Sequence, residues 1–144
     1  MASCLIEIAD AVAAELNDAS FDPPFTAVRA YVPTYDLTEL ADVKVTVVPR
    51  SLTLAGGTRS KDAFEAVINV GVQQKVDTSD APTLDALMGL TQEILDYLRN
   101  KRLDDLPEVL SISAEIAVAV SPEMLVEKRV FCSVLSFTYR VYRE

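Results

Sequence analysis

Apolar positions recur along this chain with two different periods, and the changes from one period to the other mark out its elements. Leu5, Ile8, Val12 and Leu16 are spaced by three and four, which predicts an amphipathic helix over Ala2–Asp18. Ser3 is placed to cap it through its hydroxyl, and Glu7 lies near the positive end of the helix dipole. Asn17 and Asp18 end the pattern, and Pro23-Pro24 forbids continuation. Phe25–Val32 reads as a strand with Val28, Tyr31 and Val32, closed by Pro33. Tyr35–Asp42 reads as a loop with one short turn. Val43–Val48 alternates and is β-branched, so it is a second strand; Pro49 either ends it or marks an edge or bulge within it. Residues 50–61, RSLTLAGGTRSK, look like the projecting end of a hairpin, because Gly56-Gly57 permits a tight reversal. Beyond it Phe64, Ala66, Ile68, Val70, Val72 and Val76 share one face at period two, with Glu65, Asn69, Gln73 and Lys75 on the other.

A polar turn over Asp77–Pro82 leads to a second helix at about Thr83–Arg102, capped by Thr83 and striped by Leu84, Leu87, Met88, Thr91, Leu95 and Leu98. Asp104–Pro107 is the next loop. Val109–Val120 is a strand in which Leu110, Ile112, Ile116, Val118 and Val120 share parity, and Ser121-Pro122 breaks it. Lys128–Tyr142 is the last strand. Phe131, Leu135, Phe137, Tyr139 and Val141 form one face, while Val130, Cys132, Val134 and Tyr142 leave the other partly apolar too. A strand apolar on both sides is central in a core or covered by another protein surface. The order α-β-β-β-α-β-β predicts an α+β domain, with two helices packed on one face of a mainly antiparallel sheet. No repeat or linker divides residues 1–144, so one domain is expected, with a hairpin arm at about 50–61.

The chain has 144 residues, half of them apolar, which suits one core that buries roughly 70% of the extended chain's surface. Its net charge of −9 opposes a role whose affinity comes from neutralising phosphates. With no histidine, Ser-His-Asp and Cys-His catalysis and imidazole metal sites are all excluded. Met1–Leu16 carries Glu7, Asp10 and Glu15 without a basic leading region, unlike a signal peptide. No apolar run approaches the roughly 20 residues of a membrane span. A soluble, intracellular protein without membrane association is expected.

Candidate chemistry is sparse. Cys4 and Cys132 are too few for a disulfide framework and read as small buried hydrophobes; a bridge between them would need the first helix beside the last strand. Asp104-Asp105 and the Asp77/Asp80 pair fall in loops without further ligands. Gly56-Gly57 lacks the flanking residues of a phosphate-binding loop, and no serine sits in a nucleophile elbow. No cofactor, metal or catalytic residue is expected, and the chain reads as a non-enzyme. Arg99, Lys101 and Arg102 gather where the second helix ends, either to complement its dipole or as a binding patch.

Charge is distributed unevenly. Residues 1–42 hold eight acids and one base, whereas residues 43–61 hold Lys44, Arg50, Arg59 and Lys61 and no acid. The basic hairpin is either a solvated loop or a docking arm that meets an acidic surface on another copy or another protein. In the second case Arg50, Arg59 and Lys61, with Leu52 and Leu54, are the interface candidates, and a head-to-tail contact of this kind can close into a ring.

DLTELADVKVTVVPRS (Asp36–Ser51), a hairpin tip, FEAVINVGVQQKV (Phe64–Val76), LDALMGLTQEILDYLRNKRL (Leu84–Leu103) and a long final strand follow one another. In segment order and texture, from Ile6 onward, this resembles the tail terminator proteins of tailed bacteriophages, also called tail-completion or head-to-tail joining proteins. The resemblance implies an α+β subunit of a hexameric ring that caps the tail tube, ends its polymerisation and joins it to the head connector. Its partners would be further copies of itself, the tail tube protein and head connector proteins, with DNA only as passing cargo. It would reside at the head-proximal end of the virion tail, and in the host cytoplasm during assembly. A head–tail connector adaptor, a tail-tube-like subunit and a small non-catalytic adaptor are the alternatives.

Overall fold

A computed structural model describes residues 3–21, 24–31, 39–57, 62–99, 101–104 and 106–143. Helix α1 (Cys4–Asp18) is followed by strand β1 (Ala27–Arg29), one 3-10 turn (Glu39–Ala41) and the long strands β2 (Lys44–Gly57) and β3 (Asp62–Lys75). Helix α2 (Ala81–Leu98), strand β4 (Leu110–Val118), helix α3 (Pro122–Lys128) and strand β5 (Val130–Arg143) complete the order. The strands form one sheet in the order β1-β2-β3-β5-β4. The class is α+β, but two details differ from the expected order. β1 runs parallel to β2, so the sheet is mixed, and a third helix stands between β4 and β5.

One face of the sheet carries the core. The registers place Val72 opposite Ser133, Val70 opposite Leu135, Ile68 opposite Phe137 and Ala66 opposite Tyr139, so these side chains project to the same side. Ile8, Val12 and Leu16 of α1 and Leu87, Leu90, Ile94 and Leu98 of α2 pack into the same cluster, joined by Val45 and Val47. Phe131, Phe137 and Tyr139 are among its largest fully buried side chains. The opposite face presents Glu65, Val67, Asn69 and Gln73 of β3 beside Cys132, Val134, Ser136, Thr138 and Arg140 of β5. There Arg140 Nη2 donates to Glu65 Oε1 across the ladder at 2.6 Å.

Local chemistry explains where the expected boundaries shift. α1 starts at Cys4 with Ser3 extended in the cap position, yet the Ser3 hydroxyl makes no capping bond; Glu7 N–H donates to the Ser3 carbonyl instead. α2 starts two residues earlier than expected, because Asp80 and not Thr83 is the cap. Asp80 Oδ1 accepts from the Thr83 backbone N–H at 3.2 Å and Oδ2 from the Thr83 hydroxyl at 2.7 Å. It also stops at Leu98, so Lys101 and Arg102 lie beyond the helix. The buried stripe includes Leu90 and Ile94, while Leu84, Met88 and Leu95 are only partly buried. β4 ends at Val118, before Ser121-Pro122, and that pair starts α3: the Ser121 hydroxyl accepts from Met124 N–H, and Pro122 occupies a first-turn site that needs no N–H donor. Arg129 closes α3 in the left-handed conformation at φ 54°, and its carbonyl accepts from Val76 N–H.

Candidate functional site

β2 does not end at Pro49. The ladder with β3 runs from Lys44 opposite Gln73 to Gly57 opposite Asp62, with register shifts between Pro49 and Ser51 and between Leu54 and Gly56. Pro49 therefore marks a bulge, and Arg50 is the extra residue that the partner strand does not match. At the second shift Gly56 has φ 87°, a left-handed conformation that glycine adopts without a Cβ clash. Residues 50–57 are thus the second half of a sheet strand. β1 pairs with β2 only at Val45–Val47, so among the described residues no strand lines the outer side of β2 beyond that point.

The structure brings Arg50, Leu52 and Leu54 together on this edge. Arg50 is exposed, and Leu52 and Leu54 are 39% and 60% exposed although they sit opposite Ala66 and Phe64. Arg59 and Lys61, and the tip that carries them, lie outside the described residues. Lys44 stands at the far end of the same strand. The acidic counterpart is spread over the helices, where Glu7, Asp10 and Asp18 of α1 and Asp85, Glu93 and Asp96 of α2 are exposed.

The opposite edge of the sheet is β4, and it departs from the sequence expectation. Shared parity places Leu110, Ile112, Ile116, Val118 and Val120 on one face. Register shifts between Ser111 and Ser113 and between Ile116 and Val118 break that parity. Ile116 sits opposite Leu135 on the core side, whereas Leu110 and Val118 oppose Arg140 and Val134 on the other side. Leu110 and Ile112 are each 42% exposed and Val118 39%. One signal for this edge is present in the sequence: LSISAEIAV contains Glu115 as its single charge and neither proline nor lysine, the residues that usually guard an open edge.

Several of the other candidates have partners within the fold. Arg99 pairs with Asp96 at 3.5 Å, and Lys101 with the buried Glu15 at 3.7 Å. Burial works against the Lys101 charge, but Tyr97, whose ring lies 4.7 Å away, and Glu15 outweigh it and raise its pKa. Asp77 accepts from Ser79 N–H and from its hydroxyl, which lowers the Asp77 pKa. Asp80 is the helix cap, Asp104 is exposed, and Asp105 lies outside the described residues. Cys4 and Cys132 are both free. Cys4 lines a cavity together with Val141 and Tyr142 of the last strand, about 30 Å along β5 from Cys132. Cys132 instead faces Gln73, and burial raises its thiol pKa.

A groove of about 930 Å³ runs between the start of β2 and the first turn of α2, lined by Phe25, Val28, Lys44, Gln74, Thr83 and Leu87 among others. Among the described residues its charged lining consists of Asp42 and Lys44. A smaller cavity of about 390 Å³ is lined by Cys4, Glu7, Glu108 and Tyr142 together with apolar side chains. Among the described residues, no cluster of three or more histidine, cysteine or carboxylate side chains is placed to hold a metal ion, and no helix is long and apolar enough to cross a membrane. No protein-family model matches this sequence, and no curated protein is significantly similar to it.

Proposed function

We propose that this chain is a non-catalytic structural subunit of a tailed bacteriophage that assembles into a ring, in the manner of the tail terminators its segment order resembles. The observation that carries the reading is the β2 edge, where Arg50 stands beside the exposed Leu52 and Leu54 on a body whose helices are acidic. Exposed apolar side chains on a strand with one open edge are an association surface, and the charge contrast gives that surface a direction. The ring would cap the tail tube, end its growth and meet the head connector, with a hexamer as the expected form. Acidic walls would let DNA pass without sticking.

Light scattering across protein and salt concentrations tests this. A six-subunit species that dissociates as salt rises is the expected result. Growth into stacked rings would identify a tube-like subunit instead. A monomer at every concentration, with no binding to purified tail-tube ends, would overturn the proposal.

A further inference from the structure

We infer that the contact between neighbouring copies is a strand-to-strand one, in which the β2 edge at residues 50–57 of one subunit lies along β4 of the next and continues the sheet across the interface. This rests on the ring reading and names the surface that receives the β2 edge. The two edges match in position, in length and in charge. Each is the outermost described pairing surface at its end of the sheet. At about 3.3 Å per residue they have similar lengths, roughly 25–30 Å, and backbone N–H and C=O groups face outward along both. Both also expose apolar side chains, on different faces: Leu52 and Leu54 on the core side of β2, Leu110 and Val118 on the opposite side of β4. Each carries one charge, Arg50 on residues 50–57 and Glu115 on β4, and the two are opposite in sign.

The sign of the charges also selects the partner edge. Two β4 strands pairing with each other would bring Glu115 near Glu115, whereas β2 can set Arg50 beside Glu115. Pairing β2 with β4 joins unlike edges of the same sheet, so every subunit donates one surface and accepts on the other. Such a contact propagates and closes when its rotation permits. The bulges in both strands set the local twist of each edge, so the fit requires the two irregular edges to follow one another.

A charge-swap cycle tests the contact. Arg50→Glu alone and Glu115→Arg alone are each expected to raise the concentration for half-assembly at least tenfold, and the double variant to recover most of the loss. All three are read by light scattering, or by binding to tube ends if the wild-type chain assembles only there. Hydrogen exchange gives an independent readout that does not depend on the variants. Assembly should slow amide exchange in both 50–57 and 110–118, relative to the dilute monomer. Single variants that assemble like the wild type, or exchange in 110–118 unchanged by assembly, would overturn the edge contact while leaving the ring itself standing. An assembly that stops at two subunits would also overturn it. Wild-type protein that neither forms rings nor binds tube ends would remove the ring reading with it.

Discussion

The hydroxyl of Tyr139 is buried without a hydrogen-bond partner among the described residues, at the centre of the core beside the charge of Glu15. Burial, and to a lesser degree Glu15, raises its pKa above the ordinary value of 10.0. The unfolded chain therefore loses this proton before the folded one does. The stability tied to neutral Tyr139 is fully present below pH 10 and declines above it, by at most about 1.4 kcal/mol per pH unit. Tyr139→Phe should remove that alkaline slope. It should also stabilise the protein at pH 7 by about 1 kcal/mol, because an unpaired buried hydroxyl is replaced by hydrogen; urea melts at pH 7 and above pH 10 check both. Glu15, unlike the Tyr139 hydroxyl, has partners: its carboxylate accepts from Asp104 N–H at 2.7 Å and pairs with Lys101. Glu15→Leu should cost about 1–3 kcal/mol in the same assay by orphaning that N–H. Periodicity locates both residues, Tyr139 on its apolar face and Glu15 within the first helix. It does not reveal what the Glu15 carboxylate meets, because the partner N–H comes from the loop after α2.

At the scale of elements, α2 separates two cap candidates only three residues apart. Asp80→Ala should lose about 1 kcal/mol of stability, and Thr83→Val clearly less, in thermal melts of both variants. The pattern alone favours Thr83 because it immediately precedes Leu84, yet Asp80-Ala-Pro-Thr lets an aspartate cap reach Thr83 N–H with Pro82 in the first turn. The same ambiguity hides α3. Seven residues make barely two turns, too few for a helical period to show, and Ser-Pro reads equally well as a strand breaker and as a helix start. The long strands were legible because period two persists through Phe64–Val72 and Phe131–Val141. β4 misled for the reverse reason: parity identifies a face only while the register is uninterrupted, and two bulges interrupt it within nine residues.

For the whole molecule, the uneven charge is the property that assembly should report. Reversing Arg50, Arg59 and Lys61 together is expected to abolish ring formation or tube-end binding while leaving the melting curve of the subunit close to wild type, since Arg50 is exposed and forms no ion pair among the described residues. Light scattering beside thermal melts checks it; assembly that survives the triple reversal would count against the arm. The centre of the sheet carries a different consequence. β3 and β5 pair along their entire lengths, yet their nearest partners are residues 75 and 130 and their farthest 62 and 143. Loop-closure entropy must be met before that pairing is rewarded, so folding is governed by non-local contacts and belongs with slow, milliseconds-to-seconds folders. β4 precedes β5 in the chain but, among the described residues, pairs in the sheet only with β5. Until β5 arrives, β4 has no sheet to extend, and a half-folded subunit cannot offer that edge to a neighbour. Under the proposed contact, chain order would act as a checkpoint, in which the competence to associate and the native fold mature in the same step.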